Sequence, residues 1–495
     1  MAACSAAGPG TPLPQLAEHH RPPPPPPPPP LATGAPYPDV TFEDAGVNPY
    51  VDPQRDPLST FAMDVDTASY SIARRFIEDG NLPPYEAVRL EEYVNSFDYG
   101  YQPPEEGAFA VHLDGGSTPF TDGRSVLLRI GIQAMTVADE ERQPVSLTFV
   151  IDTSGSMQME NRLELVKDAL GILVAGLRAD DSVAIVEFGS RARVVLEPTS
   201  AAEPQVILDA IRRLTPGGST NAQHGLELGY GLAVRARRPG TLDRVVLASD
   251  GVANVGLTGA DGLLAQIDRH VEAGIELISV GVGMGNFNDV LLEQLANRGN
   301  GFYAYVNDRR EADQLFGRNL TSALQTVARD AKVQVEFRAD AVARYRLLGY
   351  ENRALADDDF RDPTVDAGEV GAGHSVTALY ELELYERGGD GHLGTVRLRW
   401  QDPGSSRESS LTADIELRDL APDYESTDPD FQLAATVAAF AEILRESPHA
   451  RGYDLLEVAR QADALGRWFD RRDDVEEFRW LANRAAQLGD RGRDW

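Results

Sequence analysis

Pro144-Val-Ser-Leu-Thr-Phe-Val-Ile-Asp-Thr-Ser-Gly-Ser-Met157 is the stretch that decides the fold. Residues 145–151 form a short apolar run of strand length, rich in β-branched and aromatic side chains, as in a strand buried on both faces of a parallel sheet. The run ends in oxygen donors. Asp152, Ser154 and Ser156 alternate in a turn loosened by Gly155, so one carboxylate and two hydroxyls can converge on a small hard cation. Leu163, Val166, Leu170, Val174 and Leu177 then recur at helical spacing. The donors thus fall between the carboxyl end of a strand and the start of a helix, where open α/β sheets bind ligands.

A D-x-S-x-S pentapeptide also arises by chance, and serines after a strand commonly cap helices. Two later segments add weight. Gly217-Gly218-Ser219-Thr220 is a glycine-loosened loop opening a helical segment from Asn221 to about Arg235, and residues 244–249 form a second buried strand ending in Asp250-Gly251. The ordered set Asp152, Ser154, Ser156, Thr220 and Asp250 resembles the von Willebrand factor type A family, whose metal-ion-dependent adhesion site has the form D-x-S-x-S, then T, then D. The resemblance implies a doubly wound, mostly parallel α/β domain and a divalent ion held by these five residues. In the family the two serines bind directly, the threonine binds directly in the ligand-engaged state, and the aspartates bind directly or through water. It further implies a protein partner that completes the ion's coordination with an Asp or Glu carboxylate. With two carboxylates and three neutral hydroxyls, Mg²⁺ or Mn²⁺ suits the set better than Ca²⁺, which prefers more carboxylate and carbonyl oxygens.

The 495 residues allow several domains, and a formal charge of −32 argues against nucleic acid, whose phosphates repel such a surface. No local basic stripe offsets that charge; lysine occurs only at Lys167 and Lys332, while arginine is abundant. Cys4, the only cysteine, follows Ala2-Ala3 and precedes Ser5-Ala6-Ala7-Gly8, resembling the end of a bacterial lipoprotein signal. The expectation is a lipidated Cys4 and an extracytoplasmic, membrane-anchored protein, with a cytoplasmic protein as the alternative. The proline run 22–30 is a polyproline II spacer of roughly 28 Å at about 3.1 Å per residue.

The rest of the chain divides by periodicity. Residues 1–37 are expected to form a disordered leader, 38–142 N-terminal helices and sandwich strands, 143–327 the type A domain, 328–427 a β-sandwich, and 428–495 a helical region. The two-residue alternation at Phe109, Val111, Leu113 and at Val126, Leu128, Ile130 returns at Val333, Val335, Phe337 and at Val396, Leu398, Trp400. Strands before and after the type A domain are therefore expected to share one sandwich, with that domain inserted through it. Inside it the pattern predicts helices at 160–178, 203–214, 221–235, 261–273, 289–297 and 311–326, and one antiparallel hairpin at 182–196. Pro83-Pro84 is expected to open a further helix reaching Phe97. The whole arrangement from about Pro38 onward resembles bacterial lipoproteins with a type A domain, in which D-V-D-T-A-S-Y (64–70), G-Y-E-N-R (349–353) and the segment 366–376 look family-specific.

Catalytic alternatives are weaker. Asp64 and Asp66 flank one residue after a strand, as in phosphatases that use an aspartate nucleophile and an aspartate acid, but the threonine falls one place early and no lysine partner is evident. His224, Glu160 and Glu187 lie nearest the proposed ion, and each has a plainer role: helix packing, a first-turn acid, and a strand residue facing away. The sequence thus predicts a non-enzymatic adhesion module. An intracellular scaffold working with an ATPase and a metal-dependent phosphatase stand as alternatives.

Overall fold

The computed structural model describes residues 42 and 44–491, except 64–65, 122, 124, 252–268, 272, 284–288, 319, 363–364, 366, 386–390, 404, 406, 451 and 470. Cys4, the proline run, Asp64 and most of the helix expected at 261–273 lie outside the described residues.

The chain opens with β1 (Leu58–Ala62), α1 (Ala68–Glu78), the short α2 (Leu90–Val94), β2 (Phe109–Gly116) and β3 (Ser125–Ala134). The central segment follows as β4 (Val145–Asp152), α3 (Arg162–Gly176), β5 (Ser182–Phe188), β6 (Ala192–Ser200), α4 (Pro204–Arg212), α5 (Ala222–Ala236), β7 (Leu242–Ser249), β8 (Ile275–Val282), α6 (Asp289–Arg298) and β9 (Tyr303–Val306). Its strands form one six-stranded sheet in the order β6-β5-β4-β7-β8-β9, parallel except for the β5–β6 hairpin. Every residue of β4 is buried, because helices cover both faces. Val145, Leu147, Phe149 and Ile151 meet α3 and α4 on one side. Val150 meets α5 on the other, where a Cβ on Gly229 would stand 2.3 Å from Val150 Cγ2.

The helix expected at 311–326 is broken. It runs as α7 (Arg309–Asp313), a π-type turn at Gln314–Arg318 and α8 (Leu320–Leu324), and strand β10 (Thr326–Phe337) begins at once. Leu320 anchors the last turn against Gly176, where a Cβ would come within 2.6 Å of Leu320 Cδ2. The helix expected from Pro83 is also interrupted. Residues Tyr85–Ala87 make one 3₁₀ turn, Val88 and Arg89 are extended, and α2 starts only at Leu90. Ser69 Oγ accepts the Arg89 N–H at 2.9 Å, holding the chain in that extended turn.

After β10 come β11 (Val342–Leu348), β12 (Val370–Gly371), β13 (Ser375–Leu384), β14 (His392–Gln401) and β15 (Glu408–Glu416). One sheet runs β1-β10-β14-β15 with β12 beside β10, and the other β11-β13-β3-β2. Both therefore combine strands from before and after the central segment. Their inner faces share a core: Val333, Val335, Leu398 and Trp400 from the first sheet pack with Leu128, Ile130, Tyr380 and Leu382 from the second. The C-terminal helices α9 (Pro429–Leu444), α10 (Leu455–Leu465) and α11 (Asp473–Arg491) pack together with α2. No helix among the described residues is long and apolar enough to cross a membrane.

Helix α1 belongs to two cores at once. Ala68, Ile72 and Phe76, four residues apart, pack on the central sheet with Tyr303 and Tyr305. Tyr70, Ala73 and Ile77 face the C-terminal helices. Buried Arg74 spans the same junction, pairing with Glu311 of α7 and, at 3.0 Å, with Glu477 of α11.

Candidate metal centre

The donors sit at the carboxyl edge of the central sheet, where β4 and its neighbours β5 and β7 end. Thr153 N–H and Oγ both donate to the Phe188 carbonyl, at 2.7 and 3.1 Å, which pins the loop after β4 to the end of β5. The 217–221 loop is held against it by Gly217 N–H to the Thr153 carbonyl at 2.6 Å and Gly155 N–H to the Gly218 carbonyl at 3.0 Å. Gly218 adopts φ +87°, and a Cβ there would meet Ser190 Oγ at 2.6 Å, so both backbone and space call for glycine.

Asp152, Ser154, Thr220 and Asp250 are buried, and Ser156 is half-buried. Asp152 Oδ1 accepts the Ser154 N–H at 2.8 Å and Oδ2 accepts the Ser249 hydroxyl at 2.8 Å. The Ser154 and Ser156 hydroxyls are 3.0 Å apart. Burial pushes the Asp152 carboxyl up to about 6, and the Asp250 carboxylate adds to the rise against the pull of Ser154 and Ser249. Asp250 Oδ2 accepts from Arg162 Nη1 at 3.0 Å, whereas Asp250 Oδ1 is buried with no hydrogen-bond partner. Thr220 is buried in the 217–221 loop, next to the two glycines that bond Thr153 and Gly155.

Among the described residues no three His, Cys, Asp or Glu side chains gather as a metal site. The donor chemistry at this edge is instead two carboxylates beside hydroxyls, all hard oxygens. A buried carboxylate oxygen without a donor normally costs stability, so Asp250 Oδ1 is suited to a cation, and the set fits a small divalent ion.

Of the three catalytic candidates, His224 and Glu187 are engaged elsewhere in the fold. His224 Nδ1 accepts the Ala192 N–H at 3.1 Å and packs α5 against β6. Glu187 pairs with Arg193 at 2.5 Å. Glu160 is not a first-turn residue: it has φ 51° in the kink before α3, which begins at Arg162. Asp66 Oδ1 accepts the Tyr303 N–H at 3.3 Å and Oδ2 accepts from Arg353. Arg353 also reaches Glu293 of α6 at 3.0 Å, and Arg89 reaches the same carboxylate at 2.6 Å and Glu92 at 3.3 Å. The D-V-D-T-A-S-Y and G-Y-E-N-R segments therefore meet in one buried charge network that closes on the central domain.

Sequence reasoning missed Arg162 and Ser249. Arg162 had a signal: a cation at the first position of a helix opposes the helix dipole and calls for another reason.

The sheet order, the helices on both faces and the loops at the carboxyl edge define a von Willebrand factor type A domain. The family model "von Willebrand factor type A domain" matches residues 146–318, "von Willebrand factor" matches 37–128, and "Uncharacterized protein YfbK, C-terminal" matches 322–391 and 386–488. The chain is 35% identical over 428 residues to "Uncharacterized protein YfbK" of Escherichia coli (strain K12), covering 81% of this chain and 73% of that one. It belongs to the YfbK family of type A domain proteins. It is also 25% identical over 327 residues to "Uncharacterized protein sll0103" of Synechocystis, covering 64% of this chain and 75% of that one. Human inter-alpha-trypsin inhibitor heavy chain H2 is 27% identical over 191 residues, 36% of this chain and 19% of that protein. Among solved structures, "von Willebrand factor type A from Catenulispora acidiphila" aligns with a TM-score of 0.41 at 17% identity, over 77% of this chain and 90% of that one.

Proposed function

We propose that this chain is a metal-ion-dependent protein-binding module in which Asp152, Ser154, Ser156, Thr220 and Asp250 hold Mg²⁺ or Mn²⁺. Type A domains typically mediate protein–protein interaction. The observation that carries the metal reading is Asp250 Oδ1, a buried carboxylate oxygen with no hydrogen-bond partner, on the same edge as the paired Ser154 and Ser156 hydroxyls.

The bound ion would supply an electrophilic contact for an incoming Asp or Glu carboxylate. The chain's own residues do the rest. Ser154 N–H and Ser249 orient Asp152, and Ser156, the half-buried member of the set, marks the side open to a partner. With a formal charge of −32, the protein would otherwise repel an acidic partner, so a local cation supplies the attraction. A lipid on Cys4, followed by the proline spacer, would display the module from a bacterial membrane.

Thermal unfolding tests the reading. Mg²⁺ in excess should raise the melting temperature, EDTA should reverse the rise, and Asp152→Ala should abolish it. At 100 times its dissociation constant an ion that binds only the folded state contributes about 2.7 kcal/mol. No response of the wild type to Mg²⁺ or Mn²⁺ would defeat the reading. Retention of partners from an extracytoplasmic extract with Mg²⁺ but not EDTA tests the adhesive role, and mass spectrometry of the native N-terminal peptide tests the lipid.

A further inference from the structure

Arg162 is built into the site at some cost to local structure. The chain reaches it through two successive left-handed residues, Glu160 (φ 51°) and Asn161 (φ 57°), neither of them glycine. It is 2% exposed and lies against Gly283, where a Cβ would stand 2.0 Å from Arg162 Nε, and φ is +76°. Its Nη1 donates to Asp250 Oδ2, and its Nε is buried with no hydrogen-bond partner. A helix kink, a glycine at the end of β8 and an oriented guanidinium thus converge on one oxygen of Asp250.

We propose that Arg162 sets the cation specificity of this centre by occupying Asp250 Oδ2, leaving Asp250 one oxygen for a metal. This rests on the metal-binding function proposed above. Asp152 accepts one hydrogen bond on each oxygen, from the Ser154 N–H and the Ser249 hydroxyl, which leaves one lone pair per oxygen for a metal. Asp250, with Oδ2 turned to Arg162, is the carboxylate held to a single-oxygen contact. Ca²⁺ takes six to eight oxygens and commonly uses bidentate carboxylates, whereas Mg²⁺ takes six and is content with one or two carboxylate oxygens plus neutral donors and water. Arg162 therefore excludes the bidentate geometry that would favour Ca²⁺. It also fixes the charge. Two carboxylates, one guanidinium and a divalent ion leave a single net positive charge in a buried site, so the ligand that completes coordination is anionic.

The test is calorimetric titration of the full chain with MgCl₂, MnCl₂ and CaCl₂, comparing wild type, Arg162→Gln and Arg162→Lys, with circular dichroism as the check on folding. The wild type should bind Mg²⁺ and Mn²⁺ more tightly than Ca²⁺. Arg162→Gln should shift the Mg²⁺ to Ca²⁺ ratio toward Ca²⁺ by about 10-fold or more, the scale on which residues behind metal ligands act. Arg162→Lys, which keeps a cation on Asp250, should retain the wild-type ratio. An unmoved ratio in a folded Arg162→Gln, a wild type that prefers Ca²⁺, or a lysine variant that has lost the Mg²⁺ preference overturns the role of Arg162 while leaving metal binding in place. A wild type that binds none of the three ions overturns both.

Discussion

Replacing Arg353 by methionine should loosen the edge of the type A sheet. Arg353 is nearly buried and is shared by Asp66, whose side chain is 1% exposed, and Glu293. Removing one partner of a buried ion pair costs about 3–5 kcal/mol, because the remaining charge stays buried. Here each carboxylate keeps other donors: the Tyr303 N–H for Asp66, and Arg89 at 2.6 Å and the Asn352 amide at 3.4 Å for Glu293. The lower end, about 3 kcal/mol, is therefore expected. Tyr303 begins β9, so the loss should appear locally, as faster amide hydrogen exchange in β9 by roughly 150-fold at tenfold per 1.4 kcal/mol. Asp66→Asn in the same assay, together with the double variant, closes a cycle whose coupling should exceed about 1 kcal/mol for residues in direct contact. A change of less than about 3-fold in β9 exchange for Arg353→Met, or strictly additive effects, would show that the network does not hold this edge and would refute the reasoning.

Gly229→Ala should destabilise the fold by about 1–3 kcal/mol, read as a lowered melting temperature, because the new methyl would press on Val150 Cγ2 between α5 and β4. Asp181→Ala should cost about 3–5 kcal/mol in chemical unfolding, since the buried Asp181 carboxylate accepts from Arg142 and from the Val145 and Arg178 N–H groups. Burial, with the Glu293 carboxylate adding, pushes Glu92 up to about 7 against the pull of Arg89. The folded state thus holds that proton more tightly than the unfolded chain, so the contribution of Glu92 is complete below the ordinary carboxyl range and is lost as pH rises toward 7. Glu92→Gln should flatten the fall in melting temperature between about pH 4.5 and 7; an unchanged slope would contradict the assignment.

What the sequence disclosed depended on whether the signal was local. The buried run of β4, the alternation of β3, β10 and β14, and the helical spacing of α3 and α5 repeat over several residues, and each matches the structure. The order D-x-S-x-S, T, D is a local pattern too, since each member follows its own strand or opens its own helix. The failures came where distant residues decide. Whether 311–326 continues as one helix depends on Leu320 meeting Gly176, and whether 83–97 does depends on Ser69 holding Arg89. Arg162 and Asp250 are 88 residues apart, and Asp66 and Arg353 are 287. The family resemblance marked the segments around Asp66 and Arg353, but nothing along the chain could pair them.

The placement of the site within the fold also constrains how it can work. The donors follow the carboxyl end of β4, while the amino end of the same strand lies where the chain enters and leaves the domain: Asp181 takes the Val145 N–H and the Arg142 guanidinium, and Gln325 Oε1, one residue before β10, takes the Gln143 N–H at 2.9 Å. Arg244, near the start of β7, reaches the Thr326 hydroxyl at 2.8 Å, where the chain leaves the type A domain for β10. An eight-residue strand is about 26 Å long at roughly 3.3 Å per residue. Under the proposed function, ligand and flanking segments would attach at opposite ends of one buried strand, and a load applied at the ion would run along the backbone of β4. The flanks grip the domain elsewhere, at the β9 edge, where α1 covers Tyr303 and Tyr305 and Asp66 takes the Tyr303 N–H. That edge would otherwise present unpaired backbone to any passing strand. The flanking segments and α1 thus restrain the domain at its base and side and leave the carboxyl edge to the candidate site, the division of labour that the proposed binding function requires.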